Sequence, residues 1–322
     1  MEKKKVYITR KIPNIGIELL KKHFHVEINP EDRPLTKEEI MEKVVDKDAV
    51  LTQLTDVIDD EVLEKAQKKT KIFANYAVGF NNIDIDAATK RGIQITNTPD
   101  VLTDTTAELA WALLFSVARR VVEGHKYIKE GKWQVFSPNL LLGQDIYGKT
   151  LGVIGAGRIG KAFAKKSLGF DMKILYHNRK RDEEFEKELN AKWVDKDTIL
   201  KEADFISIHV PLTKETRYMI GERELKLMKR NAILINTARG PVVDEKALVK
   251  ALKEGEIWGA GLDVFENEPE VEEELLELDN VVLTPHIGSA SKETREKMAK
   301  LAAENIIAVL SGKEAITPVN RV

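Results

Sequence analysis

"TLGVIGAGRIGKAFAKKSLGF", residues 150–170, opens on an apolar run, passes a Gly-rich turn and continues as an amphipathic helical pattern. Gly155, Gly157 and Gly160 fit the spacing G-x-G-x-x-G. In such a unit the first glycine permits the tight turn. The second lets backbone approach a pyrophosphate, and the third allows close helix–strand packing. The N–H groups at the helix start then face phosphate oxygens. Alone the pattern says little. A strand before it, a helix after it and a second strand on schedule supply the context that gives it meaning. The stretch therefore predicts a dinucleotide-binding βαβ unit with Gly155, Ala156, Gly157, Arg158, Ile159 and Gly160 at the phosphates.

The second strand is "KILYHNRKR", residues 173–181. An acid is usual about 20 residues after the turn, where it binds the ribose 2′-hydroxyl. Here His177 and Asn178 stand in its place, and Arg179, Lys180 and Arg181 follow. An acid would repel a 2′-phosphate, and Asn178 removes that repulsion. Arg179 can grip a phosphate bidentately, and Lys180 or Arg181 can add charge. NADPH is the expected cofactor, with NADH possible. The alternative is a solvated basic loop with NADH held through neutral hydrogen bonds.

Outward from this unit, short β-rich runs such as "AVLTQL", "KIFANYA", "FISIHV" and "AILINT" alternate with helical stretches. Several are apolar on both faces, as strands of a covered parallel sheet must be. The alternation predicts an α/β protein with doubly wound sheets. A chain of 322 residues is long for one core and predicts two domains. The boundary is placed near Pro99. A helix should follow, with Thr105 as N-cap and Glu108 as its reciprocal partner. The last helix, about Lys292 to Leu310, can return to the first sheet. The expected domains are 1–99 with 287–322, and 100–286.

Bulk composition excludes several classes. The net charge of −2 gives no general pull toward nucleic acid or anionic lipid. The absence of cysteine excludes disulfides, thiolate metal sites and a Cys nucleophile, and no metal site is expected. It fits a reducing compartment, and a cytoplasmic location is expected. "MEKKKVYITRKI" has too short an apolar run for a signal peptide. "ELAWALLFSVARRVV", the most apolar stretch, is too short for a membrane span and reads as a buried or interface helix. The 32% of charged residues suits either a heat-stable protein or ordinary solvated helix faces.

Three polar residues sit just past strand ends: Arg239 in "LINTARGPVVDEKAL", Glu268 in "GLDVFENEPE" and His286 in "VVLTPHIGSAS". Open α/β sheets bind ligands outside the carboxyl ends of their strands. Arg239 can pair with a carboxylate and polarise a neighbouring carbonyl. His286 can donate a proton to that oxygen, and Glu268 can orient the imidazole and favour its protonated form. This chemistry suits carbonyl reduction.

The order GAGRIG, "HVPLTKETRYMIG", "NTARG", "GLDVFENEP" and "TPHIGSAS" resembles the D-isomer-specific 2-hydroxyacid dehydrogenase family. The likeness covers nearly the whole chain, including "ANYAVGFNNIDIDAATKRGIQITNTP", residues 74–99. It implies a flavodoxin-like, discontinuous substrate domain and a Rossmann-type domain. It implies Arg239, Glu268 and His286 as catalytic residues, with His286 as the acid/base. Substrate carboxylate would meet the backbone N–H groups of Val78 and Gly79, with Leu54 at a substrate-contact position. Thr106, Val210, Pro211, Thr237, Ala238, Asp263 and Gly288 match positions around the cofactor, together with Asn178, Arg179, Lys180, Arg239 and His286.

Within the family the chain most resembles glyoxylate and hydroxypyruvate reductases. The implied reaction reduces small 2-oxo acids to 2-hydroxy acids. The resemblance also implies a homodimer, with the helix around Trp111 to Val121 as a candidate interface and Trp133 or Phe136 reaching a partner's site. Two rivals stand. One is a short 3-phosphoglycerate dehydrogenase, although "TQLTDV" and "NYAVGFNN" carry no basic group for a phosphate. The other is a dinucleotide-sensing protein of the corepressor type, although the chain has almost no tail at either end for disordered extensions.

Overall fold

The computed structural model describes residues 3–322. It divides into two compact units. One runs up to Leu102 and is joined by Ser289–Val322; the other is Thr103–Gly288.

The first unit is built on five strands: β1 (Lys5–Ile8), β2 (His25–Ile28), β3 (Ala49–Thr52), β4 (Ile72–Asn75) and β5 (Gln94–Thr96). They lie in the order β2-β1-β3-β4-β5, and every pairing is parallel. This is the flavodoxin-like order. Every residue of the central strands β3 and β4 is buried, because helices cover both faces. The Lys292–Leu310 helix, capped by the Ser291 hydroxyl accepting from the Thr294 N–H, packs on the Asn14–Lys21 helix. The approach is close: a Cβ at Gly16 would come within 2.6 Å of the Ala299 carbonyl oxygen. The Asn320 side chain then accepts from the Ile95 N–H at 2.7 Å and fastens the C-terminal segment to β5.

The second unit carries seven strands: β6 (Thr150–Ile154), β7 (Lys173–His177), β8 (Lys192–Trp193), β9 (Phe205–Ile208), β10 (Ile233–Asn236), β11 (Gly259–Leu262) and β12 (Val281–Leu283). Their order is β12-β11-β10-β9-β6-β7-β8, again all parallel. This is the Rossmann arrangement with a seventh strand added at one edge. The strand order reverses between β6 and β9, the switch point where such sheets bind ligands.

The helix before this sheet differs from the expectation at its start. It starts at Thr103, so Thr105 lies inside its first turn and is not the N-cap. Trp111 itself is buried within its own chain, in keeping with the buried-helix reading. Its ring stacks on Phe163 and Phe170 at 5.0 and 5.4 Å, and its indole N–H donates to the Phe163 carbonyl at 2.9 Å. The exposed apolar side chains of this region come later, at Val121, Val122, Ile128, Trp133 and Phe136.

Candidate active site

The Gly-rich turn follows β6. Gly155 adopts φ +94°, and a Cβ there would lie 2.7–2.8 Å from the Val210 side chain and the His209 backbone. Only glycine serves at that position. A Cβ at Gly160 would strike the Gly155 carbonyl, whereas the Cβ direction at Gly157 opens onto free space. The turn is thus packed from below and open at Gly157. Ala156 lies buried between these glycines. The Arg158–Lys166 helix, with Ile159 in its first turn, starts directly after Gly157 and offers its N-terminal N–H groups.

Asn178 has a function that local reading missed. Its side-chain oxygen accepts from the Ala156 N–H at 2.8 Å, and its side-chain N–H donates to the Ala156 carbonyl at 3.2 Å. The Trp193 indole N–H donates to the Asn178 carbonyl at 3.1 Å. The carboxamide therefore latches the Gly-rich turn to the end of β7. Arg181 is engaged in an ion pair with Glu186. Among the described residues Arg179 and Lys180 make no ion pair, and both are exposed. His209 lies under the turn, its Nε2 2.8 Å from the Ser207 hydroxyl and its ring 5.1 Å from Phe163. Burial pushes its pKa down to about 3, so it is a neutral packing element. Val210 and Pro211 lead the chain away from it, half-buried and exposed respectively.

The β10 end forms a second turn. The Asn236 side chain accepts from the Ala238 N–H and donates to the Arg239 carbonyl, each at 3.0 Å. Arg239 Nη1 donates to the Ala238 carbonyl at 2.7 Å. Burial pushes the guanidinium below its ordinary value, and the Glu268 charge pulls it back. Thr237 is buried, and among the described residues its hydroxyl has no hydrogen-bond partner. Gly240 explains the glycine of the motif: a Cβ there would overlap the Phe265 carbonyl group. Its absence lets the loop that carries Glu268 lie directly on the arginine turn.

His286 Nδ1 lies 2.7 Å from Glu268 Oε2, and the other carboxylate oxygen accepts from the Phe265 N–H at 3.1 Å. Burial pushes the Glu268 carboxyl up, but the hydrogen bond and charge of His286, the Phe265 N–H and the Arg239 charge together hold it below its ordinary value. His286 itself sits at φ +53°, a left-handed conformation that a residue with a side chain seldom adopts. Asp263 enforces it. This fully buried carboxylate accepts from the Thr284 hydroxyl at 2.6 Å and from the Ile287 and Gly288 N–H groups at 2.8 Å each. A Cβ at Gly288 would meet Asp263 and, at 3.4 Å, the methyl group of buried Thr106.

A further pair escaped sequence reading. The Glu245 N–H donates to the Glu266 carboxylate at 2.8 Å, and the Glu266 N–H donates to the Glu245 carboxylate at 2.6 Å. The reciprocal bonds tie the loop bearing Glu268 to the start of the Glu245–Lys253 helix. Burial, with Glu266, Glu272 and Glu268 nearby, pushes the Glu245 carboxyl up to about 7.

In the first unit, Leu54 is half-buried in the turn after β3, and Val78 and Gly79 are half-buried in the loop after β4.

Residues 111–288 match the family model described as D-isomer specific 2-hydroxyacid dehydrogenase, NAD binding domain. A glyoxylate reductase of Pyrococcus horikoshii is 56% identical over 323 residues, covering 99% of this chain and 96% of the relative. The chain belongs to the D-isomer specific 2-hydroxyacid dehydrogenases. A glyoxylate reductase of Thermococcus litoralis is equally similar, 56% identical with 99% and 97% covered. Among solved structures, a glyoxylate reductase from Paecilomyes thermophila superposes with TM-score 0.89 at 35% identity, 99% of each chain covered. An NADPH-dependent glyoxylate/hydroxypyruvate reductase from Sinorhizobium meliloti, in complex with NADP and malonate, gives 0.86 at 32% identity with both chains fully covered.

This family member is an NAD(P)-dependent 2-hydroxyacid dehydrogenase, and its cofactor is a nicotinamide dinucleotide. The residues present fit that group. The turn is open at Gly157, a helix N-terminus follows it, and among the described residues the buried Thr237 hydroxyl lacks a partner. Among the described residues, no group of three or more His, Asp or Glu could hold a metal ion, and no helix is long and apolar enough to cross a membrane.

Proposed function

We propose that the protein reduces glyoxylate, hydroxypyruvate and similar small 2-oxo acids to the 2-hydroxy acids, preferring NADPH and accepting NADH. The observation that carries the reading is the 2.7 Å His286–Glu268 pair, with Arg239 near enough for its charge to act on Glu268. The bound dinucleotide supplies the hydride. Arg239 pairs with the substrate carboxylate and polarises the carbonyl, its positive charge strengthened by its dry surroundings. With Nδ1 engaged by Glu268, the other imidazole nitrogen is left to carry the proton to the carbonyl oxygen. Glu268 orients the imidazole for that transfer through its contact with Nδ1, and Asp263 holds the ring in place through the 284–288 loop.

NADPH preference is supported by two exposed cations, Arg179 and Lys180, at the end of β7, where no acid stands. Asn178, Val210, Pro211, Thr237, Ala238 and Gly288 are assigned to the cofactor site with the Gly-rich turn. The unit up to Leu102 with Ser289–Val322 is assigned to substrate binding, through Leu54 and the N–H groups of Val78 and Gly79. A homodimer in the cytoplasm completes the reading; the exposed Val121, Val122, Ile128, Trp133 and Phe136 suit burial against a second copy.

The test is a panel of small 2-oxo acids assayed with each dinucleotide. Glyoxylate or hydroxypyruvate with NADPH should give the highest kcat/KM. A clear preference for a phosphorylated or bulky acid, or for NADH, would refute the corresponding part.

A further inference from the structure

Residues 74–99 contain four asparagines, Asn75, Asn81, Asn82 and Asn97, that the reaction above does not use. Asn75 ends β4 and is fully buried. Its side-chain N–H donates to the Gly79 carbonyl at 2.9 Å. The Asn97 side-chain N–H donates to the Val78 carbonyl at 2.8 Å. The Thr98 backbone N–H donates to the Ala77 carbonyl at 2.8 Å. Three consecutive carbonyls are thus drawn toward the ends of β4 and β5.

A trans peptide is planar, so its N–H points opposite to its C=O. Fixing the carbonyls of Ala77, Val78 and Gly79 inward turns the N–H groups of Val78, Gly79 and Phe80 outward. Among the described residues none of these three N–H groups has a hydrogen-bond partner, while Val78 and Gly79 are half-buried and Phe80 is exposed. Successive N–H groups converging on one side form an anion-binding concavity.

The support continues beneath. The Thr52 hydroxyl donates to the Asn75 side-chain oxygen at 3.1 Å. The Asn75 side-chain N–H reaches the Asn82 side-chain oxygen at 3.2 Å. Asn82 in turn donates to the carbonyls of Gln53 at 3.1 Å and Asp56 at 2.9 Å, on either side of Leu54. One carboxamide chain therefore sets both the 53–56 turn and the 77–80 loop.

We infer that Asn75 and Asn97, with the Thr98 backbone, preset a cradle of three N–H donors, those of Val78, Gly79 and Phe80, for the substrate carboxylate. The inference rests on the reading that the substrate is a small 2-oxo acid whose carboxylate meets this loop. It adds Phe80 N–H as a donor and makes Asn75 and Asn97 positioning residues. A preset cradle binds an anion without first ordering the loop, which is where its affinity originates.

The test uses the full chain with Asn97→Ala, whose carboxamide makes the bond to Val78, and Phe80→Pro, which deletes one donor. Glyoxylate KM, the inhibition constant of oxalate against glyoxylate, NADPH KM and kcat are measured. Loss of one hydrogen bond's worth of positioning should raise glyoxylate KM and the oxalate constant together by about tenfold. NADPH KM and kcat should stay within about threefold of wild type, a split that general structural damage would not produce. Unchanged glyoxylate and oxalate constants in the variants overturn the cradle while leaving the reductase reading intact. A wild type in which oxalate does not compete with glyoxylate contradicts the substrate reading, and the cradle with it. Should one variant lose its cooperative melting transition, the other decides.

Discussion

Replacing Glu245 by Gln should stabilise the protein at alkaline pH and leave it unchanged in acid. Glu245 is 6% exposed and faces Glu266 across two reciprocal backbone bonds, with Glu268 and Glu272 close by. Burial first, then the neighbouring carboxylates, push its pKa from 4.5 to about 7. The folded state therefore holds its proton more tightly than the unfolded chain. The contribution to stability is fully present below pH 4.5, is lost as pH rises toward 7, and stays lost above it. At about 1.4 kcal/mol per pKa unit, the shift corresponds to roughly 3 kcal/mol. Gln keeps an oxygen to accept the Glu266 N–H and never ionises. In a unit of this size each kcal/mol moves Tm by about 2–4 °C. Glu245→Gln should then melt about 6–12 °C above wild type at pH 8, with the two equal at pH 4. Thermal unfolding followed by circular dichroism across that range is the assay. A Tm difference independent of pH, or a variant less stable at pH 8, would refute the reasoning.

Arg179→Ala should raise NADPH KM by about ten- to a hundredfold, the loss of charge-assisted bonds to a phosphate, and leave NADH KM nearly unchanged. Asn178→Ala should instead weaken both dinucleotides by a similar factor, because it releases the latch on the Ala156 peptide; dinucleotide titrations of the variants separate the two roles. Gly240→Ala should be destabilised by several kcal/mol, roughly 3 or more, since the added Cβ collides with backbone at Phe265; a melting temperature near wild type would argue against that close contact.

What could be read from the sequence was what local geometry dictates. The glycines at 155, 157 and 160 carry their reasons in their spacing, and the strand ends placed Arg239, Glu268 and His286 on one edge of one sheet. The covered, parallel character of the sheets follows from runs that are apolar on both faces. Side-chain bonds across long separations were not legible. Asn178 and Ala156 are 22 residues apart, Glu245 and Glu266 are 21 apart, and Asn97 reaches Val78 across 19. Trp111 illustrates the same limit: an apolar helix face looks alike whether it meets Phe163 and Phe170 of its own chain or another molecule. The start of that helix at Thr103 displaced the expected cap, because a Thr–Glu spacing recurs by chance. Gly240 and Gly288 show the converse, glycines whose need appears only once a remote loop is seen against them.

The central claim is that His286 protonates the carbonyl oxygen of a small 2-oxo acid while the dinucleotide reduces its carbon. The direct measurement is glyoxylate-dependent NADPH oxidation by wild type and His286→Ala under saturating conditions. Wild type should turn over steadily, and the variant should lose about 100-fold or more of kcat while still binding NADPH. A wild type inert toward glyoxylate, or a variant turning over near the wild-type rate, would contradict it.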